Sequence, residues 1–225
     1  MINWNEWLAR YVPQMLAGTR DTLYMTLVST SLAYLLGVPM GVLLTATKRG
    51  GIAEAPRFNT VFGWVVNIAR SLPFMILLFF VSPFTRFVAG TTIGSTAAIV
   101  PLVLASCPFV ARIVESSLEE VDISVIEAAR CMGASNFQII TRVLLVESIP
   151  SLFRGLSIST IAILGYTAIT GAIGAGGLGD IAYRFGYQRY QTEVMYATVI
   201  LLILLVCAIQ ALCNFLSACV DKRRQ

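Results

Sequence analysis

Long stretches without a charged residue dominate the chain, and they predict membrane-spanning helices. A helix needs roughly 20 apolar residues to cross the hydrocarbon core of a bilayer, and four charge-free runs exceed that length. They cover residues 22–47, 87–111, 155–179 and 194–220. A fifth run, 58–83, contains Arg70, but the residues after Arg70 are so apolar that burial in a bilayer explains them best. The pattern predicts an all-α, polytopic membrane bundle of five spans, with residues 1–225 forming a single domain.

The apolar pattern breaks between the third and fourth runs, where the charged loop 112–149 is predicted to contain two short helices. Ser124 and Glu127 have the spacing of a capping box, in which both side chains bond free amide groups at the start of a helix. Gly133 is well placed to end that helix in a left-handed conformation.

A second capping box follows the first helix of the loop. Ser135 and Gln138 have the right spacing, and they lead into the amphipathic stretch 137–146. Surface folding alone would explain two short helices, but the first also carries apolar side chains that need a cover in a loop facing water. These are Val125, Ile126, Ala128, Ala129 and Met132. The cover is either the protein's own helix ends or a partner's groove, and the pattern favours a docking site.

Composition supports a membrane protein, and the distribution of charge predicts its orientation. Hydrophobic residues make up 57% of the chain, charged residues 12%, and the mean hydropathy is +0.78. Positive residues near span ends stay on the cytoplasmic side. With the C-terminus inside, the inner segments hold ten Lys and Arg residues and the outer segments five, Arg70 being left out. We therefore predict an outside N-terminus, a cytoplasmic C-terminus and a cytoplasmic loop 112–149.

The residue types available argue against several chemistries. The chain has no His, which is the commonest metal ligand and general base. Its five Cys residues fall in spans or in the inner loop, and an odd number there argues against a disulfide framework. No carboxylate pair or Cys cluster gathers at one membrane face. We predict neither a metal site nor a catalytic residue.

Arg70 is the charged residue inside a predicted span, and two interpretations of it stay open. Arg within a span costs at least a few kcal/mol unless it faces water, an acid or carbonyl groups. Its side chain could extend to the inner interface or bond carbonyl groups freed just before Pro73. Alternatively, it lines a translocation path together with Asn67, Ser71 and Tyr166.

Glycines occur at two kinds of spacing. Residues 174–179 contain the Gly-x-Gly-x-x-Gly spacing of dinucleotide-binding proteins, but no strand precedes them as that fold requires. A flexible connection at the outer end of the fourth span, made of turn-forming glycines, explains them, with a hinge or a close helix contact near the outer gate as the functional alternative. The pairs Gly37 with Gly41 and Gly171 with Ala175 suit close helix crossings.

The loop 112–149 resembles the cytoplasmic loop of the inner-membrane permease subunits of bacterial ATP-binding-cassette (ABC) importers. The loop of that family carries Glu-Ala-Ala, three further residues and Gly. This chain matches the motif at Glu127, Ala128, Ala129 and Gly133. The family continues with Ile-x-Leu-Pro, where residues 143–146 of this chain lack the Pro, and Pro150 follows four residues later.

Further segments resemble the methionine-importer branch of the family. They are Arg70–Phe74, Pro83–Arg86, Gly90–Gly94, Ala97–Pro101 and Gly174–Gly179. Five spans with an outside N-terminus agree with that branch. The resemblance implies an ABC importer transmembrane domain in the bacterial inner membrane, acting with a second copy of itself as a homodimeric pore for methionine.

The resemblance also implies partners. Two cytoplasmic ATP-binding subunits would dock on the first loop helix, and a periplasmic or lipid-anchored binding protein would deliver the substrate. The docking residues that the resemblance implies are Glu127, Ala128, Ala129 and Gly133, and the apolar Val125 and Met132 complete the predicted set. The chain has no Gly-rich loop ending in Gly-Lys-Ser or Gly-Lys-Thr. ATP and Mg would therefore bind to the partner subunits, and we expect no cofactor in this chain.

Other expected contacts and two alternatives complete the prediction. The basic tail 222–224 is expected to contact anionic lipid headgroups, and no nucleic-acid partner is expected. Substrate choice in such importers often rests with the binding protein, so a betaine or a phosphonate is an alternative substrate. A non-transporting membrane scaffold is the alternative from another class. Arg70 and the repeated glycines suit a moving, water-lined bundle better.

Overall fold

The described part of the chain, residues 4–220 with side chains for 6–217, consists of helices and turns in a computed structural model. It contains no strand, which confirms the predicted all-α class for these residues. The α-helices are α1 (Trp4–Thr47), α2 (Pro56–Ser71), α3 (Phe74–Phe80), α4 (Ser82–Ala89), α5 (Ser95–Glu119), α6 (Ile123–Cys131), α7 (Asn136–Gln138), α8 (Leu145–Glu147), α9 (Ile149–Thr170), α10 (Gly177–Ile181) and α11 (Thr192–Val220). π-helical segments continue α7, α9 and α10 at Ile139–Leu144, Gly171–Ala175 and Ala182–Tyr187. The tail 222–224 lies outside the described residues.

Four described helical segments are long and apolar enough to cross a membrane. They are Glu6–Thr47, Ser95–Glu119, Ile149–Ala175 and Thr192–Ser217. α2 and α3 pass the same test as a pair, with a bend of 100° between them. The bend lies at Leu72 and Pro73, because Pro lacks an amide donor and holds the preceding residue extended. The number of spans is five if this bent pair is one of them.

The ends of the helices differ from the ends of the charge-free runs. α1 has 44 residues and begins at Trp4, well before residue 22. α5 begins at Ser95 and continues past Arg112 to Glu119, whereas the charge-free run covers 87–111. A charged side chain limits how much of a helix lies in hydrocarbon but does not end the helix. The first part of the loop 112–149 is therefore the last two turns of α5.

The described part of the chain divides into two compact units, and the first contains residues 4–31, 73–104 and 160–210. One cluster of buried side chains in its core consists of Tyr11, Met15, Leu178, Ile181, Phe185 and Val194. The Tyr11 hydroxyl donates to Gln191 Oε1 at 2.9 Å, which satisfies the polar atom of a buried ring. This cluster joins the first turns of α1 to α10 and to the start of α11.

The glycine-rich residues 171–179 form a tight turn within the first unit. Its positive φ angles of +99°, +81° and +81° belong to Gly174, Gly176 and Gly177. The Leu178 amide donates to Thr22 Oγ1 at 2.9 Å, which fixes the turn on α1. The predicted turn is confirmed. Gly171, however, packs against this turn, since an added Cβ would lie 2.6 Å from the Asp180 amide nitrogen.

The second compact unit contains the described residues 32–72, 105–159 and 211–220, and α1 approaches α5 closely within it. A buried cluster there consists of Leu44, Val66 and Ala111. An added Cβ at Gly37 would lie 2.7 Å from Val110 Cγ1, and one at Gly41 would lie 2.6 Å from Val114 Cβ. The predicted close crossing at this glycine pair is confirmed.

Candidate functional site

α6 starts with a cap, but the capping residue differs from the predicted one. The Asp122 carboxylate accepts a hydrogen bond from the Ser124 amide at 2.8 Å, and the helix begins at Ile123. The predicted capping box of Ser124 with Glu127 is therefore wrong, because Ser124 already lies inside the helix. Hydrogen bonds from the backbone and side chain of Ser124 lower the pKa of Asp122, since they stabilise the charged carboxylate.

The end of α6 and the start of α7 agree with the prediction. Gly133 has a φ of +80°, and its amide donates to the Arg130 carbonyl oxygen at 2.9 Å. The Ser135 amide donates to Gln138 Oε1 at 2.8 Å, and the Gln138 amide donates to Ser135 Oγ at 3.4 Å. This pair is the predicted capping box. The segment is a helix, a turn and a second helix.

α6 has one buried and one open face. Ala129 is 5% exposed, whereas Met132 is 82% and Val125 is 40% exposed. Glu127 is exposed as well. We use the term α6 surface for the open apolar side chains at and around this helix, which are Ile123, Val125, Ala128, Met132 and Phe137. Several exposed apolar side chains within one short, water-facing segment are typical of protein interaction sites.

Two members of the α6 surface, Ile123 and Phe137, were absent from the predicted docking set. Both are large and mostly exposed. Their signal in the sequence is an apolar residue at each side of a charged, water-facing segment. Within the predicted set, Ala129 differs from the others because it packs against the chain itself. Its small side chain lets α6 lie close to the rest of the second unit.

Three of the four predicted path residues, Asn67, Arg70 and Ser71, lie in the last turns of α2. The Arg70 side chain is exposed, and its guanidinium carbon lies 5.9 Å from the centre of the Phe109 ring, a cation–π distance. Ser71 Oγ donates to the Ile68 carbonyl oxygen at 2.8 Å. Their role in transport stays a prediction.

Arg112 is a polar residue that the sequence reasoning missed. Its Nη1 lies 2.6 Å from Glu115 Oε2, and its Nη2 donates to Asn67 Oδ1 at 2.9 Å and to the Gly63 carbonyl oxygen at 3.1 Å. The spacing of Arg112 and Glu115, three residues apart on a helix, is the signal that could have found the pair. The network connects α5 to α2, so Asn67 has a structural partner.

The fourth predicted path residue, Tyr166, lies in the first compact unit, which also contains a cavity. The Tyr166 ring stacks on Phe74, with 4.5 Å between the ring centres. The cavity has a volume of about 280 Å³. Its hydroxyl-bearing lining residues are Ser82, Thr85, Thr92 and Thr170. None of the described residues that line it is charged, so it offers hydroxyl groups and apolar contacts but no ion pair.

Comparison with known proteins relates this geometry to a family. Residues 33–225 match the family described as binding-protein-dependent transport system inner membrane component. The chain is 43% identical over 218 residues to the probable D-methionine transport system permease protein MetI of Vibrio cholerae, covering 97% of each chain. It is 45% identical over 206 residues to the methionine import system permease protein MetP of Bacillus subtilis, covering 92% of this chain and 93% of that one.

A solved structure extends the similarity to three dimensions. A chain in inward-facing conformations of the MetNI methionine ABC transporter is 42% identical, with a TM-score of 0.92, covering 99% of this chain and 100% of that one. This chain belongs to the family of binding-protein-dependent transport system inner membrane components. It is a multi-pass membrane protein and a permease subunit, as the resemblance in the loop 112–149 predicts.

Proposed function

We propose that this chain is the permease subunit of an ATP-driven methionine importer of the bacterial inner membrane. The observation that carries the proposal is the full-length match, at 42% identity and a TM-score of 0.92, to a chain of the MetNI methionine ABC transporter. The permeases of Vibrio cholerae and Bacillus subtilis also have methionine in their names. Similarity over a whole chain supports a common role better than a shared motif does.

In this proposal two copies of the chain form the pore, each with five spans, an outside N-terminus and a cytoplasmic C-terminus. The excess of positive residues in the inner segments, ten against five, supports that orientation. A periplasmic or lipid-anchored binding protein delivers methionine from outside. Two cytoplasmic ATPase subunits bind ATP and Mg and drive the cycle.

The ATPase subunits dock on the α6 surface, with Glu127 and Gly133 beside it. The exposed side chains of Val125 and Met132 support this, because they need an apolar cover that this chain does not provide in its described part. Ala128 is small and exposed, so it permits close approach of a partner's groove. Movement of the ATPase subunits would then move α6 and, through it, the membrane spans.

Arg70, Asn67, Ser71 and Tyr166 line the translocation path in this proposal. Support comes from the exposure of Arg70 at the end of the apolar helix α2. An Arg in such a segment is stable beside water, an acid or carbonyl groups. A water-filled translocation path would supply the water.

Reconstitution tests the function directly. The chain is assembled in lipid vesicles with its ATPase subunits and its binding protein, and uptake of labelled solutes is measured with and without ATP. We expect ATP-dependent uptake of methionine and none of glycine betaine or an alkylphosphonate at the same concentration. Uptake of betaine or phosphonate without uptake of methionine would show that the chain serves an importer of that other substrate. A chain that retains no ATPase when purified from its native membrane under mild conditions would support the scaffold instead.

A further inference from the structure

The connection between α1 and α2, residues 48–55, is bonded firmly to the end of α1, and we call it the α1–α2 hairpin. The Ala53 amide donates to the Ala46 carbonyl oxygen at 2.9 Å, and the Ala55 amide donates to the Thr47 carbonyl oxygen at 3.0 Å. These bonds satisfy carbonyl groups that a helix end leaves free. The hairpin therefore moves with α1.

The first turn of α2 is tied to the same point. Asn59 Nδ2 donates to the Leu44 carbonyl oxygen at 2.6 Å and to Thr47 Oγ1 at 3.1 Å. A side chain that donates to both a carbonyl oxygen and a hydroxyl oxygen of α1 restricts the angle between the two helices. These hydrogen bonds hold three parts in a fixed arrangement: the end of α1, the α1–α2 hairpin and the start of α2.

Two polar contacts connect the α1–α2 hairpin to α5 and α6. Lys48 Nζ lies 2.7 Å from Glu119 Oε1, at the last residue of α5. Arg130 Nη2, near the end of α6, donates to the Gly51 carbonyl oxygen at 3.3 Å. All four residues lie in the second compact unit, so these contacts belong to one body of the fold.

A cavity of about 400 Å³ lies between the α1–α2 hairpin and α6. Arg49 and Ile52 line it from the hairpin and Thr45 from the end of α1, whereas Ile126 and Glu127 line it from α6. Close packing would make the hairpin and α6 a single rigid block, whereas a cavity leaves room for them to approach or separate. The Arg130–Gly51 hydrogen bond links the hairpin to α6 beside this cavity, and the Lys48–Glu119 pair links the hairpin to the end of α5, just before α6.

We infer that the α1–α2 hairpin is a second coupling element, in which Lys48, Glu119 and Arg130 are positioning residues that transmit movement of α6 to α1 and α2. This inference rests on the proposed function of α6 as the docking helix. A short turn, residues 120–122, already connects α6 to α5. The hairpin contacts add a second route, to helices that are distant from α6 in the chain.

The exposure of the Lys48–Glu119 pair suits a contact that must open in every cycle. The two side chains are 43% and 45% exposed, so water and salt weaken the pair and it can break and reform. Coupling that depends on it should be sensitive to the sign of each charge and to ionic strength. A purely structural contact would change stability instead.

Charge reversal in the complete transporter tests the inference. Lys48→Glu, Glu119→Lys and the double exchange are reconstituted with the ATPase subunits and the binding protein, and ATP hydrolysed per methionine imported is measured. We expect each single reversal to raise this ratio about twofold or more, because like charges then repel. The double exchange should restore it. Arg142→Glu is the matched control, since it reverses a positive charge at an exposed residue of the loop 112–149 outside both the hairpin and the cavity, and it should leave the ratio unchanged.

The possible results separate this inference from the proposed function. Unchanged ratios in single reversals that assemble fully would overturn the second coupling element, and so would a double exchange that fails to restore the ratio. If a single reversal does not assemble, the neutral variant Glu119→Gln decides by the same ratio. Failure of the proposed function would show differently, as absence of ATPase or of methionine uptake in the unaltered complex.

Discussion

Gly133 ends α6 in a backbone conformation that residues with a Cβ rarely adopt. Its φ is +80°, yet an added Cβ would meet nothing within 4 Å. The position therefore has space for a side chain, and the backbone alone makes glycine favourable. Whether the turn tolerates a substitution therefore depends on whether the new residue can adopt a positive φ, and not on the size of its side chain.

Gly133→Val should reduce ATPase docking and methionine uptake while the chain stays folded. Forcing a β-branched residue into the left-handed region costs about 1–2 kcal/mol or more, which favours unwinding of the turn that carries Met132. The measurements are the amount of ATPase that co-purifies and the rate of uptake. Gly133→Asn is the control, because Asn tolerates this region and the space is open. A Val variant that assembles fully and transports normally would refute the docking role of this turn.

Arg70 allows a second test at the level of a single residue. If its charge lines the translocation path, Arg70→Ala should raise the KM or lower the rate of methionine uptake by about three- to tenfold, equivalent to about 0.7–1.4 kcal/mol. Arg70→Lys keeps the charge and should lose less. If Arg70→Ala leaves both parameters unchanged, Arg70 serves packing alone, through its contact with Phe109.

At the scale of the helices, α1 and α5 can cross closely because Gly37 and Gly41 of α1 have no side chain at the contact. Gly41→Ala would place its Cβ 2.6 Å from the Ala111 carbonyl oxygen, a backbone atom that has little freedom to move. We expect a loss of stability of about 1–3 kcal/mol, as for overpacked cores, measured as a lower melting temperature in detergent. Gly165→Ala in α9 is the control, because its Cβ would meet nothing within 4 Å. Equal melting temperatures for the two variants would contradict a tight crossing.

The sequence predicted helix ends correctly where one nearby residue marks them, and wrongly where two neighbouring residues could each cap the helix. The turn at Gly133 and the capping box at Ser135 depend on residues within a few positions, and both were predicted correctly. The start of α6 was misassigned because Asp122 and Ser124 both carry cap-forming oxygens, and only one can be the cap. The bend between α2 and α3 was not predicted, although Pro73 is its local cause.

At the scale of the whole molecule, the orientation in the membrane can be tested with Cys131, which is exposed on α6. In a variant that retains Cys131 as its single cysteine, without ATPase subunits, a membrane-impermeant maleimide should label inside-out vesicles and not right-side-out ones. Arg20→Cys in a cysteine-free chain should show the opposite pattern, since Arg20 is exposed and predicted to lie outside. Reversal of both patterns would invert the predicted topology.

The sequence by itself determined the all-α membrane class, the family and the helix–turn–helix in the loop 112–149. These follow from composition and from patterns among near neighbours, which every short window of the chain displays. Only the tertiary structure decided that Ala129 is buried while Met132 is open. It also decided that Arg112 binds Asn67 and that Lys48 meets Glu119, 71 residues away. Contacts between residues so far apart depend on how helices pack in space, and no local pattern in the chain encodes that.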